Sequence, residues 1–121
     1  MLTLLTGLPG SGKTLFTLAR VEKLARDEGR PVFYSGIPDL KFPWVELSDE
    51  QVRKWYELPA KSIVVMDEAQ RVFRPRGNFG AVPEYVSALE THRHLGVDLF
   101  LITQHPTLID AHVSPRLQIS F

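Results

Sequence analysis

The sequence predicts an α/β domain with a central, mainly parallel sheet flanked by helices. Three stretches carry that expectation. Leu2 to Leu5 is a short apolar run that leads into Gly7-Leu8-Pro9-Gly10-Ser11-Gly12-Lys13-Thr14, after which a helical pattern begins. Ile63 to Met66 is apolar without polar alternation, as suits a central strand covered on both faces, and it ends on Asp67-Glu68. Val97 to Thr103 reads as a second buried strand, with Gln104 just beyond it.

The first stretch matches the complete phosphate-binding loop (Walker A) pattern: a glycine, four free positions, then glycine, lysine and threonine. Glycines permit a tight turn in which backbone N–H groups converge on a phosphate, and the opening helix adds its positive end. Gly7, Leu8, Pro9, Gly10, Ser11, Gly12, Lys13 and Thr14 are therefore the expected nucleotide cradle. Lys13 is placed to reach the β and γ phosphates, and the Thr14 hydroxyl to join the shell of a Mg²⁺ ion. The helix that follows offers Leu15, Leu18, Ala19, Val21, Leu24 and Ala25 as its apolar side.

Asp27 to Pro31 marks the exit from that helix, with Gly29 suited to the left-handed position, and Val32 to Ser35 reads as the second strand. Gly36 to Leu47 carries Pro38 and Pro43; it is compatible with covering a sheet edge or with approaching a nucleotide base. Ser48-Asp49-Glu50-Gln51 resembles a helix start, and Trp55 and Tyr56 fit the role of packing anchors. After the third strand, Asp67 is the expected Mg²⁺ partner, acting through metal-bound water, and Glu68 (Walker B) the group that orients or activates the attacking water. Acids meeting free N–H groups at a helix start are the plainer reading of that pair, and it weakens beside a complete phosphate loop.

Ala69 to Phe73 continues as a short helical turn, and Arg74 to Gly80 as a loop rich in arginine and glycine. Val82, Tyr85, Val86, Leu89 and Arg93 have helical spacing, ending near Leu95-Gly96. His92 and His94 would lie about 200 degrees apart on a helix, which does not suit a shared metal. Gln104 occupies a strand end suited to sensing the γ phosphate. Leu117 to Phe121 reads as a last strand, and a chain that stops inside it looks cut short.

The 121 residues carry 14 Lys+Arg against 14 Asp+Glu and 44% apolar side chains, which predicts one globular domain over residues 1–121 without a general basic coat for nucleic acid. Without cysteine there is no disulfide or thiolate metal site. No apolar stretch reaches the roughly 18 residues of a spanning helix, and the start lacks the pattern of a signal peptide, so these residues read as soluble.

The loop Gly7 to Thr14, the run Val65-Met66-Asp67-Glu68-Ala69-Gln70, the segment Thr91-His92-Arg93-His94-Leu95-Gly96-Val97-Asp98 and Leu101-Ile102-Thr103-Gln104-His105-Pro106 together resemble the N-terminal domain of zonula occludens toxin, a family related to the assembly proteins of filamentous phages. The resemblance spans essentially the whole chain. It implies a P-loop ATPase of the additional-strand type with sheet order 5-1-4-3-2, using Leu2 to Leu5, Val32 to Ser35, Ile63 to Met66, Asp98 to Ile102 and Leu117 to Phe121 as strands.

It also implies an ATP- and Mg²⁺-dependent motor that assembles as a homo-oligomer and helps extrude phage. Such a domain faces the cytoplasm, and its parent protein is anchored in the bacterial inner membrane by a downstream helix. Phage coat or assembly proteins are the implied partners, and phage DNA is a further candidate. Catalysis would rest on Lys13, Glu68 and Gln104, with Arg93 or Arg116, and behind them Arg71, offered to a neighbouring subunit. The competing readings are a nucleotide-dependent assembly platform or switch without turnover, and a small-molecule kinase.

Overall fold

The computed structural model describes residues 1–73, 83–104 and 117–121. Strand β1 (Leu2–Thr6) runs into the glycine-rich loop and helix α1 (Lys13–Glu28). Then come β2 (Val32–Ser35), a two-residue strand β3 (Val45–Glu46), helix α2 (Asp49–Arg53) and a 3₁₀ turn at Trp55–Glu57. Strand β4 (Ile63–Met66) is followed by a 3₁₀ turn at Ala69–Arg71, helix α3 (Glu84–Thr91), a 3₁₀ turn at Arg93–Leu95, and strands β5 (Asp98–Thr103) and β6 (Leu117–Ser120).

The sheet order is β3-β2-β4-β5-β1-β6, and every neighbouring pair is parallel. Without its outermost strand, this is the expected order 5-1-4-3-2. The stretch of residues 36–47 therefore extends the sheet edge: Val45 and Glu46 pair with Phe33 and Tyr34. β1 and β5 each run one residue further than expected from the resemblance, to Thr6 and Thr103.

Strand side chains alternate between two apolar layers, as a sheet covered on both faces requires. On β4, Val64 and Met66 enter one layer with Val52, Trp55, Phe73 and Val86, while Ile63 and Val65 enter the other with Leu18 and Val21. Fully burying each such aliphatic chain contributes about 1.5–3 kcal/mol. Trp55, 3% exposed, is a core anchor whose indole N–H donates to the Tyr85 carbonyl at 3.0 Å. Tyr56 instead stacks on His92, with ring centroids 5.2 Å apart.

The apolar side expected for α1 is partly corrected. Leu15 is 75% exposed and Ala19 is also exposed, whereas Lys13, Thr17 and Val21 form the buried row. The loop sets the helix phase by turning Lys13 inward, and the i, i+4 spacing carries that face to Thr17 and Val21. Likewise α3 stops at Thr91, so Arg93 lies in the following 3₁₀ turn, and Gly96 closes that turn at φ 68°. α2 starts on the expected serine: Ser48 and Gln51 exchange side-chain and backbone hydrogen bonds.

At the amino end of the sheet, Arg30 ties three strands together. Its Nε donates to the Lys61 carbonyl at 2.7 Å, Nη1 to Asp98 Oδ2 at 2.8 Å and Nη2 to the Gly96 carbonyl at 3.2 Å. Its side chain is only 10% exposed and that of Asp98 16%. Arg30→Ala leaves a largely buried carboxylate short of its guanidinium, so urea denaturation is expected to show a loss of about 2–4 kcal/mol. A change below about 0.5 kcal/mol would mean that the clamp is unimportant.

Candidate functional site

Because every strand runs the same way, the carboxyl ends of β1, β4 and β5 meet at one edge of the sheet. Thr6 pairs with Thr103 and Met66 with Leu101. Gly7, Asp67 and Gln104, each the next residue after its strand, therefore gather there. Gln104 is exposed at the end of β5, between the strand that feeds the loop and the strand that feeds the acidic pair.

The loop has the backbone of a cradle. Gly10 and Gly12 take φ values of 78° and 86°, and Gly12 stands immediately before α1 in the left-handed region, which a side chain would strain. Gly10, Ser11, Gly12, Lys13, Thr14 and Leu15 line a cavity of about 270 Å³. Lys13 is 8% exposed, and its Nζ lies over the loop, donating to the Leu8 carbonyl at 3.2 Å. The Ser11 hydroxyl oxygen is buried without a hydrogen-bond partner. A buried ammonium resting on one carbonyl, beside an orphaned hydroxyl, suits an anion that would give both a partner. Leu8, by contrast, points outward and is 77% exposed.

The acidic pair meets the loop directly. Thr14 Oγ1 donates to Asp67 Oδ2 at 3.1 Å, joining residues 53 apart in sequence. Asp67 is itself held on both sides: its N–H donates to the Ser35 carbonyl at 2.9 Å, and its Oδ1 accepts from the Glu68 N–H at 2.8 Å. A hydroxyl beside a carboxylate is an oxygen donor set that fits Mg²⁺. Glu68 takes φ 55° and ψ 47°, an uncommon conformation for a non-glycine residue that turns its side chain off the line of β4.

Gln70 and Gly36 were not among the expected site residues. The Gln70 amide nitrogen donates to Glu68 Oε2 at 2.6 Å, and its carbonyl oxygen accepts from Thr103 Oγ1 at 2.9 Å. The glutamine two positions after the acidic pair was the available signal. Gly36, at φ 83°, lies so close to the chain after β4 that a Cβ would collide with the Asp67 carbonyl and come within 2.6 Å of Arg71 Nη2. Its only sequence signal was a glycine directly after a strand.

The candidate arginines are dispersed. Arg93 sits in the turn before β5, at the opposite end of that strand from the loop, where it pairs with Glu90 at 2.7 Å. Arg71 lies 3.7 Å from Asp49. Arg116, Arg74, Arg76 and His105 fall outside the described residues. Among the described residues there is no cluster of three or more His, Cys, Asp or Glu suited to a metal, and no helix long and apolar enough to cross a membrane. Gly36→Ala is expected to push Asp67 away from Thr14, lowering stability by about 1–3 kcal/mol and weakening any nucleotide binding at the loop by at least about tenfold. Titration with a fluorescent ATP analogue measures the second effect, and unchanged affinity would show that the close approach does not position Asp67.

The family described as Zonular occludens toxin (Zot) matches residues 36–120. The candidate assembly protein ORF301 of Pseudomonas phage Pf3 is 43% identical over 118 residues, an alignment covering 93% of this chain and 39% of that protein. The chain thus spans well under half the length of this curated relative. The crystal structure of the N-terminal domain of zonular occludens toxin from Neisseria meningitidis superposes with a TM-score of 0.77 at 36% identity, covering 92% of this chain and 70% of that one. The genome packaging NTPase B204 from Sulfolobus turreted icosahedral virus 2, in complex with AMPPCP, superposes at 0.78 with 17% identity, over 99% of this chain and 73% of that one. The last match shows a shared fold. With the family matched over most of its length and a crystallised member sharing its sheet, this chain belongs to the zonular occludens toxin family.

Proposed function

We propose that this domain binds Mg-ATP on the loop of residues 7–14 and hydrolyses it, as the ATPase part of a phage-assembly apparatus. The observation that carries this reading is the hydrogen bond from Thr14 to Asp67, which brings loop and acidic pair into one site. Support comes from the kinship with an assembly protein of phage Pf3 and from a fold shared with an NTPase solved with an ATP analogue.

In this reading the N–H groups of residues 10–14 and the Lys13 ammonium bind the phosphates, drawing Lys13 off the Leu8 carbonyl. Thr14 and Asp67 hold Mg²⁺, which when bound neutralises developing charge on the phosphates. Glu68 orients the attacking water and takes its proton, and Gln104 donates a hydrogen bond toward the terminal phosphate. The domain works as a homo-oligomer in which a neighbour's arginine completes the site; Arg93, remote from its own loop, and Arg116 are the candidates. The longer parent protein anchors it on the cytoplasmic side of the bacterial inner membrane, with phage coat or assembly proteins as its partners and phage DNA as a further candidate.

Phosphate release measured over a range of protein concentrations tests this. The rate per protomer is expected to rise with concentration and to vanish when EDTA removes Mg²⁺. Glu68→Gln is expected to keep ATP affinity while lowering kcat by about 100-fold or more, whereas Lys13→Ala is expected to weaken ATP binding by at least about tenfold. Tight binding with no turnover at any concentration would point to a nucleotide switch. Turnover unaffected by Glu68→Gln would remove Glu68 from the chemistry.

A further inference from the structure

We propose that Gln70 is a positioning residue that holds the Glu68 carboxylate in place, and that Thr103 ties it to the strand end carrying Gln104. The inference rests on the hydrolytic reading above and extends it to two residues that no part of that reading uses.

The geometry leaves the Gln70 amide one orientation. A carboxylate offers only acceptors, so the NH₂ end of Gln70 faces Glu68, at 2.6 Å. The amide oxygen then points the other way and accepts from the Thr103 hydroxyl at 2.9 Å. A reversed amide would set two acceptors against each other at Glu68. The chain Thr103–Gln70–Glu68 is thus polarised in one direction, and its members reinforce one another.

The register explains why Thr103 can reach. Met66, the last residue of β4, pairs with Leu101, so β5 continues two residues further, and Thr103 stands past the end of its neighbour, beside the turn that carries Gln70. Thr103 is 1% exposed, so its hydroxyl is held in a buried setting. Gln104 follows directly. The hydroxyl that orients Gln70 thus belongs to the residue beside the one proposed to meet a terminal phosphate, and Gln70 in turn orients Glu68.

The test compares wild type with Gln70→Ala, Thr103→Val, Thr103→Ser and the Gln70→Ala/Thr103→Val double variant, with ATP as substrate. Losing the tether is expected to lower kcat by about 10- to 100-fold with KM and ATP affinity changed less than about twofold. Thr103→Ser, which keeps the hydroxyl, is expected to recover most of the loss seen in Thr103→Val, and the double variant to be little worse than Gln70→Ala alone. NMR gives a second readout that needs no turnover. One Gln70 side-chain amide proton is expected to exchange at least about tenfold more slowly than those of an exposed glutamine, and to lose that protection in Thr103→Val and Glu68→Ala.

If wild type turns over, Glu68→Gln does not, and the Gln70 and Thr103 variants match wild type, the positioning role is overturned while the hydrolytic reading stands. If wild type does not turn over, the hydrolytic reading falls. The tether is then decided by the amide protons, and free exchange in wild type overturns it.

Discussion

A parallel sheet delivers all its carboxyl ends to one edge, and the candidate site depends on that constraint. Loop, acidic pair and Gln104 come from three strands far apart in sequence, yet the order β4-β5-β1 sets them side by side. The hydrogen bond between Thr14 and Asp67 is the visible join. It runs from the first turn of α1 to the residue after β4, although β5 lies between β4 and the strand that feeds the loop.

The opposite edge carries the counterpart. There Arg30 gathers the carbonyls of Lys61 and Gly96 and the Asp98 carboxylate, fastening the starts of β4 and β5 to the end of α1. A guanidinium with several donors in a rigid fork suits such a junction, where backbone oxygens at strand starts would otherwise lack partners. The Arg30 junction at one end of the sheet and the candidate site at the other follow from the same parallel topology. A second cavity, of about 180 Å³ and lined by Met1, Trp55 and Arg93, lies at the structural end, away from the loop.

Much of the fold was legible because the signals were local. The apolar runs Ile63 to Met66 and Leu99 to Ile102, the second inside the expected strand Val97 to Thr103, marked strands that are buried on both faces, and the helix start at Ser48 was written in its own four residues. The exposed Leu15 shows where local reasoning failed: an apolar residue at helical spacing was assigned to the core, but the loop rotates α1 to bury Lys13 instead. Gly36 shows another failure. Its necessity comes from the carbonyl of Asp67, a contact that exists only once β2 and β4 are paired.

By itself the sequence determined five of the six strands, the first helix, the phosphate-loop pattern and the acidic pair, because each is encoded in residues adjacent along the chain. Tertiary structure alone decided the facing of α1, the placing of Arg93 at the end of β5 away from the loop, and the tether from Thr103 through Gln70 to Glu68. Those depend on strand register and on which backbone reaches which, and register is settled by the packing of both sheet faces at once. A two-residue overrun of β5 past β4 is invisible in either strand's own letters.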